Sequence, residues 1–348
     1  MKFRPLGRTD LAVSEICLGT MTFGQQTGAD DAFAQMDYAV AQGINFFDTA
    51  ELYAIPPRAE TYGATESIIG AWLKKRGRRD DLVIATKVAG RSTMNWLRPG
   101  GAMARLDAKN IFHAVEGSLK RLGTDYIDLY QLHWPDRPMD LFDGLSNSYR
   151  DQGGPDGVSF DETLSALGEL VKQGKIRHFG VSNETAWGVG QFLRGAETGT
   201  GPRVVSIQNA YHLINRQFEL GLAEFAMREQ VGLLAYSPLA QGYLTGKYLN
   251  GAKPAGARST LFERGQRYMK PGVDAAIEDY LALAQEFSLH PVHLALAFVT
   301  SRPFVTSNII GATNIEQLKL ILDAPHQLSP EILQRIDAIH QIRGNPAP

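Results

Sequence analysis

Eight short apolar runs, each followed by an amphipathic stretch, constrain the fold of this chain most strongly. Their spacing of a few tens of residues is typical of repeated βα units and a parallel sheet. The predicted strands cover residues 16–20, 45–50, 82–88, 126–133, 176–182, 205–208, 232–237 and 308–311, and the predicted helices include 31–41, 109–122, 163–172, 218–229 and 314–322. We therefore predict an α/β fold, a (β/α)8 TIM barrel.

Three segments extend beyond the bare barrel. Residues 1–15 are predicted to form a β-hairpin that covers its bottom, and the chain after Ser329 is predicted to form an extra helix. Residues 134–160 and 239–272 are too long for simple βα connections, and we interpret them as a substrate lid and a cofactor clasp on the catalytic face. Because α/β barrels often exceed the usual domain size, we expect one domain over residues 1–348.

Composition excludes several classes of function. A formal net charge of −2 gives no electrostatic reason to bind nucleic acid or an acidic membrane surface. The sequence has no apolar run of about eighteen residues and no signal-peptide pattern, so we expect a cytoplasmic protein with no membrane span. The single cysteine, Cys17, lies in an apolar segment and is expected to be a packing residue. No oligomeric state is predicted.

Four ionisable side chains stand at or just beyond the ends of three predicted strands: Asp48, Tyr53, Lys87 and His133. In a closed parallel barrel these ends converge on one face, where active sites of such barrels are found. A carboxylate would orient the ammonium there, and the ammonium would lower the pKa of the tyrosine. The four residues therefore predict a tuned proton donor.

Other chemistries find little support in the sequence. Gly188-Val-Gly190 lacks the third glycine of a Rossmann fingerprint and lies within a predicted helix. His290 and His293 share a helix face but have no third ligand nearby, so no metal site is predicted. A barrel glycosidase would need two acids at strand ends, and Asp48 is the only one found.

The chain resembles the aldo-keto reductase superfamily. Asp48-Thr-Ala-x-x-Tyr53, Lys87 and His133 resemble its catalytic tetrad, and segments 180–183, 207–209, 236–242 and 310–314 resemble its cofactor-binding segments. The run at 244–251 and the Pro-Ala-Pro at 346–348 are similar to the branch of bacterial Tas-type reductases. Residues 311–313 are similar to the branch that includes potassium-channel β subunits.

The resemblance implies reduction of an aldehyde or ketone, a small-molecule carbonyl substrate, with NADPH as cofactor and NADP+ as product and without a metal. Tyr53 would be the general acid, with Lys87 lowering its pKa, Asp48 holding Lys87, and His133 orienting the carbonyl. Tyr62-Gly63 with Glu66 also resembles a family motif, so Tyr62 is the alternative donor; we favour Tyr53 for its five-residue spacing from Asp48. The rival function is an NADPH-sensing barrel that turns over slowly and regulates a protein partner.

The predicted cofactor site surrounds the same strand ends. The side-chain amides of Asn183 and Gln208 would bind the carboxamide of a nicotinamide; the alternative is that they cap turns. Tyr236 would stack on the nicotinamide ring; the alternative is that it is a core residue. Lys247 and Arg258 would favour a 2′-phosphate. The full predicted set is Thr20, Met21, Ser182, Asn183, Gln208, Tyr236, Ser237, Pro238, Leu239, Gln241, Gly242, Lys247, Arg258, Gly311, Thr313 and Gln317.

Two further features concern ligand contacts. Leu320 and Ile321 stand where relatives often carry a Glu-Asn pair that holds the adenine, although Gln317 matches. Substrate identity is not predicted. The candidate pocket walls are Trp134, Tyr149, Met21 and Phe23, which would otherwise be packing residues.

Overall fold

The computed structural model describes residues 1–142, 145–154, 157–263 and 265–348, and its centre is a closed parallel barrel. The barrel strands are β3 (Ile16–Gly19), β4 (Phe46–Asp48), β5 (Val83–Val88), β6 (Ile127–Leu132), β7 (Ile176–Ser182), β8 (Val204–Ala210), β9 (Gly232–Tyr236) and β10 (Val305–Ile310). Each pairs with the next in chain order, and β10 pairs with β3, with Asn308 opposite Ile16. The predicted TIM barrel is confirmed.

The N-terminal hairpin is also confirmed and closes the bottom of the barrel. It consists of β1 (Phe3–Pro5) and β2 (Ala12–Ser14), which pair in antiparallel fashion. Leu6 and Val13 are fully buried and pack with Phe46, Leu129 and other residues of the barrel interior. The interior is therefore a dry apolar core below the carboxyl ends of the strands.

Helices surround the barrel and bury a second apolar layer against its outer face. They are α1 (Ala29–Ala41), α2 (Ala64–Arg76), α3 (Ala108–Leu122), α4 (Phe160–Lys172), α5 (Ala186–Glu197), α6 (Leu222–Glu229), α7 (Arg258–Phe262), α8 (Val273–Glu286), α9 (Pro291–Thr300), α10 (Ile315–Leu322) and α11 (Pro330–Arg343). The extra helix α11 begins after Ser329, whose hydroxyl accepts a hydrogen bond from the Ile332 amide at 3.3 Å. Within the described residues, no helix is long and apolar enough to cross a bilayer.

One predicted helix is interrupted. The pattern over residues 218–229 predicts one continuous helix, but a 3₁₀ turn over Gln217–Leu220 precedes α6. Gly221 separates them with a φ of +153°, a conformation that residues other than glycine rarely adopt. The hydrophobic periodicity continues through this glycine, so periodicity alone does not locate the break.

Residues 134–160, the predicted lid, follow β6, and residues 239–272, the predicted clasp, follow β9, so both begin on the catalytic face. They include residues 143, 144, 155, 156 and 264, which lie outside the described part of the chain. Residues 345–348 join segments of this face: the Asn345 carbonyl accepts from Asn147 at 2.9 Å, and Arg267 donates to the Pro348 carbonyl at 3.0 Å. The Ala347 amide donates to the Ile214 carbonyl at 3.2 Å. Residues 345–348 thus form hydrogen bonds with three other segments of the chain, at Asn147, Ile214 and Arg267.

Close approach of α2 to α3 gives a test of the packing. A Cβ added at Gly70, in α2, would lie 2.2 Å from the Arg121 carbonyl oxygen, whereas one added at Gly190, in α5, would lie 3.7 Å from Phe225. We expect Gly70→Ala to lower the free energy of unfolding by about 1–3 kcal/mol through overpacking. Gly190→Ala should raise it by about 0.5–1 kcal/mol, because alanine is the better helix former.

The measurement is chemical denaturation of both variants beside the wild type. Equal effects of the two substitutions would contradict the close contact between α2 and the end of α3.

Candidate active site

A buried ion pair lies at the catalytic end of the barrel interior. Alternation along the strands places Asp48 two residues after the interior residue Phe46, and Lys87 two residues after the interior residue Ala85. Lys87 Nζ donates to Asp48 Oδ2 at 2.6 Å and to the Thr49 carbonyl at 2.8 Å. Asp48 is 2% exposed and Lys87 is fully buried, so each charge depends on the other for stabilisation.

Two glutamines complete the environment of the carboxylate. Gln131 Nε2 donates to Asp48 Oδ1 at 2.9 Å, and Gln208 Nε2 donates to the same oxygen at 2.8 Å. Gln208 also donates to Gln131 Oε1 at 3.0 Å. Gln131 was not among the residues predicted from the sequence. The available signal was a polar residue inside a predicted strand, on the same strand face as His133.

Tyr53 lies against the ammonium. Lys87 Nζ is 3.4 Å from the Tyr53 hydroxyl oxygen and 4.8 Å from the ring centroid. Burial raises the pKa of Tyr53 and is the largest influence on it. The positive charge of Lys87 lowers this pKa and the negative charge of Asp48 raises it, so that the pKa lies above its usual value of 10.0. The prediction that Lys87 lowers the tyrosine pKa is thus right for that single interaction, but wrong for the net shift.

Lys87 itself stays charged. Burial alone would lower its pKa, but Asp48 and then Tyr53 outweigh burial and leave the pKa above 10.5. A charged ammonium next to a protonated phenol stabilises the phenolate that forms when the proton leaves. Asp48, Lys87 and Tyr53 can therefore act together as a proton donor.

His133 follows β6 and forms one side of this pocket. Its ring centroid is 5.6 Å from that of Tyr53, with the rings nearly perpendicular at 81°, and 4.9 Å from that of Trp134. Burial, assisted by Lys87, lowers the pKa of His133 well below 6.5, so the imidazole is neutral at physiological pH. Its Nδ1 is buried and has no hydrogen-bond partner among the described residues.

The alternative donor, Tyr62, points into a different network. Its hydroxyl donates to Glu51 Oε2 at 2.8 Å, and burial raises its pKa further than the neighbouring arginines lower it. Arg98 donates to both oxygens of Glu51, at 2.9 and 3.0 Å, and the Ala89 amide donates to Oε1 at 2.8 Å. The structure therefore brings Tyr53, and not Tyr62, to Lys87. Glu51, which the sequence analysis missed, fastens the segment between Asp48 and Tyr53.

The predicted cofactor residues nearest these side chains form a connected group. Asn183, with a φ of +53°, donates to the His133 carbonyl at 2.9 Å and accepts from the Tyr236 hydroxyl at 2.7 Å. Ser182 donates to the Gln208 carbonyl and Thr20 to the Asp48 carbonyl, both at 2.8 Å. The Met21 carbonyl accepts from the Ile55 amide at 3.1 Å. Strand β8 continues to Ala210, so Gln208 does not end its strand as predicted.

A second group follows β9 in a tightly turned segment. Ser237, Pro238 and Leu239 lead into a 3₁₀ turn over Ala240–Thr245, and φ is +57° at Ser237, +55° at Gln241 and +96° at Gly242. The exposed Lys247 ammonium is 5.1 Å from the centroid of the Tyr248 ring. Arg258 begins α7, and the neighbouring Ser259 amide lies 3.4 Å from the Tyr248 hydroxyl.

The third group lies beyond β10. Gly311 is exposed, and the amide and hydroxyl of Thr313 donate to Gln317 Oε1 at 3.0 and 3.1 Å. Ile321 is 5% exposed and belongs to the outer core, against which Leu320 also packs. Leu320 and Ile321, which replace the Glu-Asn pair of the family pattern, are therefore packing residues of α10.

A cavity of about 270 Å³ opens beside Asn183 and Tyr236. Phe142, Leu145 and Leu220 are among its apolar walls, and Asn209 and Gln217 are among its polar ones. None of the four candidate pocket walls, Trp134, Tyr149, Met21 and Phe23, lines this cavity. Trp134 stands beside it, between His133 and Phe142, with ring centroids 4.9 and 5.8 Å away. Tyr149 is 92% exposed, and Phe23 is fully buried in the outer core.

The remaining polar candidates are engaged elsewhere. His290 Nδ1 accepts from the Val292 amide at 3.2 Å, and His293 Nε2 lies 2.9 Å from the Leu320 carbonyl oxygen. No group of three metal-ligating side chains occurs in the described part of the chain. Cys17 is fully buried among the residues of the barrel interior.

Comparison with known proteins identifies the family of this chain. The model of the Aldo/keto reductase family matches residues 15–341. The chain is 51% identical over 351 residues to Protein tas of Escherichia coli (strain K12), covering 100% of both chains. It is 35% identical over 352 residues to the uncharacterized oxidoreductase YrpG of Bacillus subtilis (strain 168), covering 100% of this chain and 98% of that protein. It is 31% identical over 361 residues to a probable voltage-gated potassium channel subunit beta of Oryza sativa subsp. japonica, covering 98% and 97%. The chain therefore belongs to the aldo/keto reductase family and is an oxidoreductase.

Proposed function

We propose that this protein reduces aldehydes and ketones to alcohols with NADPH. The observation that carries the proposal is the buried set in which Lys87 Nζ lies 2.6 Å from Asp48 and 3.4 Å from the Tyr53 hydroxyl. A charged lysine held against a protonated tyrosine matches what a carbonyl oxygen needs as it gains negative charge, namely a proton donor whose conjugate base is stabilised.

The residues after β9 suit a dinucleotide. Gly242 has a φ of +96°, which favours glycine, and this turn lies against the lysine stem, since a Cβ at Gly242 would be 2.9 Å from Lys247 Cε. Thr260 Oγ1 is buried without a hydrogen-bond partner among the described residues, as is His133 Nδ1. Lys247 and Arg258 would hold the phosphates, and Tyr236 and Asn183 the nicotinamide. The chemistry supplied by a bound reduced nicotinamide is two-electron reduction of a carbonyl carbon.

The protein's own residues would supply the proton and the orientation. Neutral His133 would donate a hydrogen bond to the carbonyl oxygen and fix its direction. Tyr53 would release its proton to that oxygen, and Lys87 would stabilise the phenolate that remains. Asp48 would keep Lys87 charged and in place. The apolar barrel interior beneath them excludes water, which strengthens each of these interactions.

The rival function, an NADPH-dependent sensor with a protein partner, rests on the likeness to proteins named as potassium channel β subunits. It would not require Lys87 to contact Tyr53. The rate at which the purified chain reduces carbonyl compounds separates the two hypotheses, because the sensor would turn over slowly.

The proton donor can be identified by substitution. We expect Tyr53→Phe to lower kcat for reduction of a reactive aldehyde by about 10²-fold or more, because it removes the transferred proton. Tyr62→Phe is the matched control, since its hydroxyl is bound to Glu51. Steady-state kinetics over a panel of aldehydes, ketones and quinones measures both.

An active Tyr53→Phe with an inactive Tyr62→Phe would reverse the assignment. A wild-type chain that binds NADPH tightly and reduces no compound of the panel would favour the sensor.

Cofactor preference tests the cationic loop. We expect tighter binding of NADPH than of NADH, and we expect Arg258→Ala to weaken NADPH binding by about tenfold or more with little effect on NADH, because one charge-assisted contact is worth about 1.5–3 kcal/mol. Lys253→Ala is the matched control, an exposed cation of the same loop. Fluorescence titration gives the dissociation constants. Equal wild-type affinities for the two cofactors would refute the preference.

A further inference from the structure

Gln131 binds the carboxylate that holds Lys87. It lies on β6, is fully buried, donates to Asp48 Oδ1 at 2.9 Å and accepts from Gln208 at 3.0 Å. We propose that Gln131 is a positioning residue for carbonyl reduction, which holds Asp48 in place and weakens the effect of its negative charge on Tyr53. The inference rests on the proposed function, because it concerns the same proton donor.

Gln131 places a polar amide beside the apolar interior of the barrel. Leu129, two residues earlier, faces the apolar barrel interior, and alternation directs Gln131 to the same side. A buried amide costs about 1–3 kcal/mol unless it is hydrogen-bonded. Both ends of this amide bind residues of the candidate site, Asp48 and Gln208. The polar contacts of Gln131 are thus directed to the carboxylate and its neighbour.

The effect on Tyr53 follows from the charges around it. The groups that face the phenol are Lys87 on β5, Asp48 on β4, His133 after β6 and Tyr236 on β9. The positive charge of Lys87 favours the phenolate, whereas Asp48 and Tyr236 disfavour it, and His133 is neutral. Amide N–H donors on Asp48 Oδ1 offset part of its negative charge. Without the Gln131 donor, the negative charge of Asp48 disfavours the phenolate of Tyr53 more strongly, so Tyr53 binds its proton more tightly.

Gln208 does not make Gln131 redundant. Its side chain is one of the groups predicted to bind the cofactor, and its Nε2 also contacts Asp48 Oδ1. If Gln208 turns its amide to a ligand, Gln131 is the remaining side-chain donor on that oxygen among the described residues. Gln131 would then keep Asp48, and through it Lys87, in position.

The test is the pH profile of Gln131→Met, which keeps the shape of the side chain and removes its hydrogen bonds. We expect kcat for aldehyde reduction at neutral pH to fall about three- to tenfold with KM nearly unchanged, because a phenol of higher pKa is a poorer acid. The alkaline limb of reduction should move up by roughly 0.5–1 pH unit. In alcohol oxidation, which needs the phenolate, the profile should shift upward by the same amount.

Gln35→Met is the matched control. Gln35 is a fully buried glutamine of α1 whose amide atoms have no hydrogen-bond partner among the described residues, so its replacement should leave both profiles unchanged. Gln131→Asn, in which the amide is shorter by one methylene, should shift the profiles in the same direction as Gln131→Met. A readout independent of turnover is the tyrosinate absorbance of each protein minus that of its Tyr53→Phe form.

The outcomes separate the inference from the proposed function. If the wild type reduces carbonyls and a folded Gln131→Met loses activity without any shift in the pH profile, Gln131 is merely structural and the inference is overturned. If the wild type reduces no carbonyl compound, the proposed function fails and the inference fails with it. If Gln131→Met does not melt cooperatively, Gln131→Asn and the tyrosinate titration decide, and an unshifted titration overturns the inference.

Discussion

The candidate site depends on the ion pair between Asp48 and Lys87. Both charges lie at the top of an apolar barrel interior, where an unpaired charge would cost several kcal/mol. The pair persists because its hydrogen bonds are complete: Lys87 reaches Asp48 and the Thr49 carbonyl, and the second carboxylate oxygen accepts from two glutamines. Barrel closure is what makes this possible, since it brings β4, β5, β6 and β8 around one centre.

A second buried pair fixes the segment that carries the phenol. Glu51 lies between Asp48 and Tyr53 in sequence and is held by Arg98 and by the Ala89 amide just beyond β5. The segment is thus attached at Asp48 to the barrel interior and at Glu51 to the loop that precedes α3. Tyr53 follows two residues after the second attachment. Its distance from Lys87 is therefore set by two sets of charged hydrogen bonds.

The fold and the four central side chains could be predicted from sequence because they follow local patterns. A strand buried on both faces appears as an apolar run, and a charge at its end marks the catalytic face whatever the tertiary detail. Glu51 and Gln131 have no such pattern. Glu51 follows a strand like many solvated acids, and Gln131 lies inside a strand, with its partners Asp48 and Gln208 far away along the chain.

Two other features required the three-dimensional arrangement. The net pKa shift of Tyr53 depends on how completely the phenol is buried, which the identities of its neighbours do not determine. Tyr149 and Phe23 illustrate the same limit for packing. Both are aromatic residues near the catalytic face in sequence, yet one is almost fully exposed and the other fully buried.

The closure of the barrel between β3 and β10 has a consequence for synthesis on the ribosome. Asn308 pairs beside Ile16, and Arg4 of the hairpin donates to the Thr300 carbonyl at 2.7 Å. At about 5–20 residues per second, β10 emerges roughly a quarter of a minute to a minute after β3. During that interval one edge of β3 has no partner strand. The edge is short, since β3 spans only Ile16–Gly19, and a short edge gives a neighbouring nascent chain little backbone to pair with.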